Sequence, residues 1–269
     1  MDSTIQKLKK GKAASLDKIT AEHIMYAHPC VTVIISQLLN LMVMYEYVPD
    51  AFGQTVTIPT PKETNNQGNS SSENYRGITI SPIVSKIFEY CLLDMFGKYL
   101  SSSKYQFGFK QKISCGHAHY SLQKTLEYFI SRDSTVNLRS IDLSKAFDKL
   151  NRFVLFNKLL SRNCPLQFIN VLDCWLDKTY TSVKWGSCLS KLVHLPNGIR
   201  QGSILGPILF SVYTHDLLQK LQESNLGCHI HYINFNAFMY ADDLLLLSIS
   251  FFILNKCWTY AYLSLMYWI

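Results

Sequence analysis

The residues with the most to do chemically are acids set into apolar strands. Tyr240-Ala241-Asp242-Asp243 places two adjacent carboxylates where a strand pattern expects apolar side chains, and Leu244 to Leu247 follow directly. Adjacent carboxylates repel one another unless a cation is shared, although an isolated Asp-Asp pair also suits a solvated hairpin tip, where Asp is common. A second acid in a similar setting shifts the balance, because Asp142 lies between Ile141 and Leu143 in LRSIDLSKAF. Two such strands side by side would bring Asp142 and Asp242 to one metal site. Hard divalent ions such as Mg²⁺ take oxygen ligands, keep several waters and bind through one or two carboxylates plus substrate phosphates. Two of them about 3.5–4 Å apart activate an attacking hydroxyl and stabilise departing pyrophosphate in an in-line displacement, the chemistry of nucleotidyl transfer. Cys115-Gly116-His117-Ala118-His119 and Cys228-His229-Ile230-His231 crowd soft ligands together, but without the C-x₂₋₄-C and H-x₃₋₅-H spacing of zinc sites. They read as ordinary helix and strand residues.

The elements that must hold these acids mix helices and strands without the regular alternation of a doubly wound sheet, so the fold class is α+β. Apolar residues at helical spacing mark Val31 to Tyr47, the stretch TISPIVSKIFEYCLLDMFGKYL, Cys115 to Ser131, Asn151 to Leu160, Gln167 to Lys178 and Ile204 to Leu221. LRSIDLSKAFD is a short strand running into a turn. TSVKWGS with KLVHL reads as one hairpin, and HIHYINF with FMYADDLLLLS as a second, turning at Asn236-Ala237. Residues 63–74, ETNNQGNSSSEN, read as a mobile loop. With 48% hydrophobic and 17% charged residues over 269 positions, the chain is neither disordered throughout nor a coiled coil. The 26 Lys and Arg exceed the 19 Asp and Glu by +7, which fits a polyanionic partner without requiring one. Eight Cys that never form C-x-x-C, and an N-terminus without the apolar core of a signal peptide, favour an intracellular, reducing setting, cytoplasm or nucleus. From Leu244 onward the only charge is Lys256, yet Asn255 and Lys256 interrupt the apolar run well before the roughly 20 residues a membrane span needs. No membrane partner is expected.

Seven pieces occur in a fixed order over about residues 8–250: GKAASLDKIT, TVTIPTPK, NYRGITISPIVSKIFE, QFGFKQKIS, IDLSKAFDKLN, NGIRQGSILGPILFSVYTHDL and YADD. In this the chain resembles the reverse transcriptase domain of non-LTR (LINE-like) retrotransposons. The resemblance implies an antiparallel right-hand polymerase palm with packed helices over 136–250, and a fingers region over 1–135. Its activity would be RNA-directed DNA polymerisation with an RNA template, a DNA primer, deoxynucleoside triphosphates and two Mg²⁺ ions, with Mn²⁺ as an alternative. Asp142 and Asp242 resemble the metal-binding catalytic acids, and Asp243 the accompanying acid. Phe147 resembles the steric gate, a ring that would meet a ribose 2′-hydroxyl and exclude it by clash; without the motif it is equally a core aromatic. Gln201 and Gly202 resemble residues that contact incoming nucleotide and template, while Arg76 and Lys62 resemble cations facing the triphosphate, each otherwise an ordinary turn or surface residue.

Departures accompany the match. Ser15-Leu16 replaces a Gly and a small residue, and Gly77 stands where Pro is usual. The family's helix, Lys-bearing segment and thumb after YADD are not recognisable in LLLLSISFFILNKCWTYAYLSLMYWI, so the thumb is expected to be absent. Residues 251–269 are expected to be an apolar, aromatic tail without family match. The chief alternative is therefore a catalytically inactive, nucleic-acid-binding or non-functional retrotransposon remnant. An RNA-dependent RNA polymerase shares the palm but calls for a polar residue where Phe147 sits.

Overall fold

The computed structural model describes residues 1–62, 74–143 and 146–266. The loop expected over 63–74 thus lies, except for Asn74, outside the described residues. Elements are numbered in chain order. The chain divides into two compact units, each built from two stretches of sequence: Met1–Tyr99 with Leu159–Gly206, and Leu100–Lys158 with Pro207–Ile269. The division differs from a single cut near residue 135 because strand pairing, not sequence proximity, gathers the first unit.

That unit contains α1 (Asp2–Gln6), α2 (Ala21–Met25), α3 (Pro29–Met44), β1 (Gln54–Pro61), β2 (Tyr75–Ile80), α4 (Ile83–Phe96), α8 (Leu166–Asp177), β4 (Tyr180–Trp185), β5 (Cys188–Leu189) and β6 (Val193–His194). Its sheet runs β2-β1-β4-β5, with β6 also on β4. β1 and β2 are antiparallel, from Val56 opposite Ile80 to Pro61 opposite Tyr75. β1 and β4 are parallel, Gln54 opposite Tyr180, a pairing that needs a long crossover and so draws Leu159–Gly206 back to the N-terminal stretch. Ile83, Ile87, Phe88, Leu92 and Phe96 recur along α4 at helical spacing and are buried. Phe88 meets Trp175 at 5.4 Å between ring centroids, and Phe96 meets Phe168 at 4.9 Å. These rings fill the core of the unit.

The second unit contains α5 (Cys115–Ile130), β3 (Asn137–Asp142), α6 (Ala146–Lys149), β7 (His229–Ile230), β8 (Ile233–Asn234), β9 (Ala237–Tyr240), β10 (Asp243–Ser248) and α10 (Phe251–Met266); α7 (Arg152–Ser161) and α9 (Leu205–Glu223) each include residues of both units. Its main sheet is β3-β10-β9, antiparallel throughout. On β10, Leu244, Leu246 and Leu247 are fully buried, so both faces of the strand are covered. Leu247 joins Phe129, Cys228 and Phe238 in one core cluster. On the face that carries Leu246, its cross-strand partner Arg139 donates to Asn255 Oδ1 on α10 at 3.2 Å and lies over the Trp258 ring at 4.2 Å.

Two expectations are corrected here. Phe251–Met266 is a helix packed on β10 and β3, with Leu254, Cys257 and Ala261 buried at helical spacing, while Phe251, Phe252, Tyr260 and Tyr262 remain exposed. The second hairpin is in fact two, one turning at His231 (φ 53°) between β7 and β8 and one at Ala241 between β9 and β10. Asn236 is no turn residue. Its fully buried amide accepts from Gln222 Nε2 at 2.7 Å and donates to the Leu221 carbonyl, and its own carbonyl accepts from Leu247 N–H at 2.9 Å. Among the described residues no helix is long and apolar enough to cross a membrane.

Candidate active site

β10 pairs with β3 so that Asp243 stands directly opposite Asp142, and with β9 so that Asp243 stands opposite Tyr240. Directly opposed residues of antiparallel strands project from the same face, with Cβ atoms about 4.5–5.5 Å apart. Asp142 is thus the last residue of β3, Asp242 lies in the β9–β10 turn, and the Asp242 carbonyl accepts from Leu143 N–H at 3.3 Å. Asp142 and Asp243 are exposed and Asp242 is half-buried. Burial, then the charges of Asp242 and Asp142, push the Asp243 carboxyl above its ordinary range, so the three acids share one electrostatic neighbourhood. Among the described residues no group of three or more His, Cys, Asp or Glu is arranged to hold a metal ion. The acids form an open edge instead.

The turn that carries them is clamped by a residue to which the sequence assigns no role. Ala241 adopts φ 57°, a left-handed conformation uncommon for a residue with a Cβ. Fully buried Gln106 holds it from both sides: its Nε2 donates to the Ala241 carbonyl at 3.0 Å, and its Oε1 accepts from Ala241 N–H at 3.0 Å and from Gly108 N–H at 2.9 Å. The backbone continues the clamp along the outer edge of β9, with Phe107 N–H donating to the Met239 carbonyl at 2.7 Å and Met239 N–H to the Tyr105 carbonyl at 3.0 Å. At Gly108 a Cβ would run into the backbone nitrogen of Ala241. Glycine here permits the close approach. The motif QFGF is therefore the brace of the YADD turn.

Phe147, on α6, is half-buried in the same unit. Its ring stacks on Phe210 with centroids 5.0 Å apart and meets Phe109 edge-on at 5.8 Å. These contacts fix the ring's orientation.

The remaining candidates belong to the first unit. Lys62 follows β1, with its N–H donating to the Asn74 carbonyl at 2.8 Å, and Arg76 lies on β2 opposite Thr60; both are exposed. Gly202 has φ 78°, and a Cβ there would run into the Thr79 carbonyl, so glycine lets the Gln201-Gly202 turn press onto β2. Two buried charges secure that turn. Glu89, fully buried on α4, accepts from Arg200 Nη2 at 2.8 Å, from Leu205 N–H at 2.8 Å and from Ile204 N–H. Arg200 also donates to the Phe52 carbonyl at 2.8 Å and Ser85 Oγ at 3.1 Å, and lies over the Trp175 ring at 4.9 Å. Burial drives the Glu89 carboxyl upward against the pull of Arg200 and the backbone donors. Asp142, Asp242, Asp243 and Phe147 thus sit in one unit, and Lys62, Arg76, Gln201 and Gly202 in the other. The Cys/His clusters have structural work: His117 Nδ1 meets Ser114 N–H at 3.1 Å in the capping box of α5, and His229 Nε2 lies 2.9 Å from Asn225 Oδ1.

Comparison with known proteins bears on this arrangement. Residues 60–258 match the family model described as reverse transcriptase (RNA-dependent DNA polymerase). The chain is 27% identical over 155 residues to the probable RNA-directed DNA polymerase from transposon X-element of Drosophila melanogaster, covering 54% of this chain and 16% of that protein. It is 22% identical over 213 residues to the Pol polyprotein of the retrotransposable element R2DM of the same organism, covering 79% of this chain and 20% of that protein. The chain therefore spans a fifth or less of the length of these relatives. A solved structure of apo telomerase from Candida tropicalis, truncated from its C-terminal domain, superposes with a TM-score of 0.52 over 95% of this chain and 55% of that one at 10% identity, a likeness of fold. With the family match spanning most of its length, the chain belongs to the reverse transcriptase family, among the domains of non-LTR retrotransposable elements.

Proposed function

We propose that this chain carries out RNA-directed DNA synthesis, extending a DNA primer on an RNA template with deoxynucleoside triphosphates. The observation that carries the reading is the pairing of Asp142 with Asp243 beside Asp242, three carboxylates on adjacent strand ends in a family of polymerases. The sheet β3-β10-β9 serves as the palm, within 136–250, and the fingers role falls to residues before 135.

Reverse transcriptases generally use divalent metal ions. The donor chemistry suits such an ion, since all three groups are hard oxygen ligands, and burial together with the charges of Asp242 and Asp142 holds the Asp243 carboxyl above its ordinary range, a crowding that a shared cation would relieve. Asp142 and Asp242 would hold Mg²⁺, with Mn²⁺ as an alternative, and Asp243 would accompany them. Bound there, the ions supply Lewis acidity for attack of the primer hydroxyl and departure of pyrophosphate. The protein's own part is positional. Gln106 fixes the turn on which Asp242 sits, and the strand register fixes Asp142 against Asp243. The Phe147 ring, oriented by Phe210 and Phe109, would exclude a ribose 2′-hydroxyl. In the first unit, Arg76 and Lys62 would meet triphosphate, and Gln201 with Gly202 nucleotide and template.

Primer extension on an RNA template tests the reading. Asp142→Asn should abolish incorporation of either sugar, whereas Phe147→Ala should admit ribonucleotides more readily. An unmodified chain that binds template-primer and extends nothing would establish the inactive remnant.

A further inference from the structure

The motif QFGF sends its two rings to different places. Phe107 stacks on Phe238 with centroids 5.9 Å apart and packs against the core cluster of the second unit. Phe109 stays 39% exposed and contributes little to that core. Its ring meets Phe147 at 5.8 Å and Phe210 at 6.3 Å, with interplanar angles of 86° and 89°. Phe147 and Phe210 are themselves stacked, 5.0 Å apart and 21° from parallel. Phe109 therefore stands perpendicular to both rings of the stack. Phe210 is buried at 2% exposure and belongs to the fixed interior, whereas Phe147 is half-buried. The stack supports one face of the Phe147 ring, and the crossing ring of Phe109 is its second support.

The backbone at Phe109 is held in an unfavourable conformation to put that ring there. Its φ is 61°, in the left-handed region, where a bulky side chain is an outlier and Asn or Gly sits at less cost. The surrounding loop enforces it from both ends. Gly108 N–H donates to the buried Gln106 Oε1 at 2.9 Å, and Lys110 Nζ donates to the Ser103 carbonyl at 2.6 Å, closing the loop across seven residues. An exposed ring kept in a strained backbone by a built loop points to a task for the ring itself. Exclusion by clash needs such a backing, because a clashing side chain that is free to change rotamer yields to the group it should reject.

We propose that Phe109 is a positioning residue for sugar selection, the stop that keeps the Phe147 ring from swinging aside when a ribose 2′-hydroxyl presses on it. The proposal deepens the polymerase reading and rests on it, and on Phe147 as the gate. It makes one loop serve two ends of the site: Gln106 holds the turn of the acids, and Phe109 holds the gate.

The experiment is primer extension on an RNA template by the full chain, with the ratio of ribonucleotide to deoxynucleotide kcat/KM as the readout. Phe109→Leu removes the crossing ring and should raise that ratio by about 2- to 10-fold, the size of one edge-to-face ring contact, with the deoxynucleotide rate near the parent's. Phe109→Asn accepts the left-handed backbone, so it keeps the loop and should raise the ratio likewise even if the leucine variant fails to fold. Phe109→Tyr retains the ring and should retain the parent ratio. In a Phe147→Ala background Phe109→Leu should add nothing, because the ring it acts through is gone. A ratio unchanged in the leucine and asparagine variants overturns the proposal, as does an equal loss with both sugars, which is the mark of a merely structural ring. A rise that adds in full to that of Phe147→Ala overturns it as well. A parent chain that extends nothing overturns the polymerase reading, and this proposal with it, whereas extension with an unmoved ratio overturns the proposal alone.

Discussion

Replacing Gln106 by Met tests whether the brace of the acidic turn is a polar one. The two side chains are similar in volume, so the change removes hydrogen bonds with little change in packing. It strands the Ala241 N–H, the Ala241 carbonyl and the Gly108 N–H, which the parent satisfies at 2.9–3.0 Å around a fully buried amide. Each orphaned buried group costs about 1–3 kcal/mol. The Ala241 groups lie at a turn where water gains partial access, which puts the total near the lower end, about 3–5 kcal/mol. Against a typical domain stability of about 5–15 kcal/mol that is a large fraction, and urea unfolding should register it as a lower midpoint with an unchanged slope. The kinetic consequence is separable. Ala241 immediately precedes Asp242, and a shift of about 1 Å in a catalytic group costs on the order of 10²-fold in rate. Single-turnover primer extension should therefore slow by about that factor with little change in the concentration dependence on nucleotide. Gln106→Glu retains the acceptor for both N–H groups but turns an anionic oxygen toward the Ala241 carbonyl, so it should not rescue. A Gln106→Met chain that unfolds within about 1 kcal/mol of the parent and extends at the parent rate would refute the argument.

Three other outcomes follow from the same kind of reasoning. Gly202→Ala meets both a left-handed backbone and the Thr79 carbonyl, so it should destabilise the first unit by about 1–3 kcal/mol, read by urea unfolding, more than alanine at exposed Gly11, where nothing stands within 4 Å. Arg200→Met leaves Glu89 buried without its counter-charge and should cost about 3–5 kcal/mol, while the double variant with Glu89→Met should recover much of the loss. Lys86→Met should raise the thermal midpoint. The folded pKa of Lys86 lies below its unfolded value, so the unfolded chain binds more protons and the parent gains stability as pH rises toward the ordinary lysine range. The gap between variant and parent should accordingly be widest near neutrality and narrow with rising pH, and a gap that widens instead would contradict the assignment.

What could be read in advance was whatever leaves a periodic or compositional trace. The helices α5, α7 and α8 lie within a residue or two of their expected ends, because apolar side chains at helical spacing must face a core. The α+β class followed from the mixture of elements, and the acids stood out because charges interrupt apolar strands. The hairpins were harder. Asn236-Ala237 has the composition of a turn, yet Asn236 is spent on Leu221, Gln222 and Leu247, tertiary partners that no local pattern announces. The turn falls instead at Ala241, a residue with no special tolerance for positive φ. The helix α10 was misjudged for a related reason. Aromatic residues on nearly all sides hide a narrow buried stripe of Leu254, Cys257 and Ala261, two of them small, so the amphipathic signal is weak where the packing is close.

Gln106, Glu89 and Arg200 share a single physical role, and it explains why none stood out in the sequence. Each is buried, polar and bonded to the backbone of a distant segment: Gln106 to Ala241, Glu89 to Ile204 and Leu205, Arg200 to Phe52. Backbone groups are alike at every position, so such a contact imposes no complementary residue type on its partner. It imposes a conformation, which in these two cases is marked by a glycine that must let the chains approach, Gly108 against Ala241 and Gly202 against Thr79. The turn that carries Asp242 is thereby held through its backbone, and the Asp242 side chain takes no part in the brace. A turn held by its own acidic side chain would lose that freedom, which is why the buried Gln106 and Glu89, costly as they are to desolvate, stand on segments behind the turns they hold.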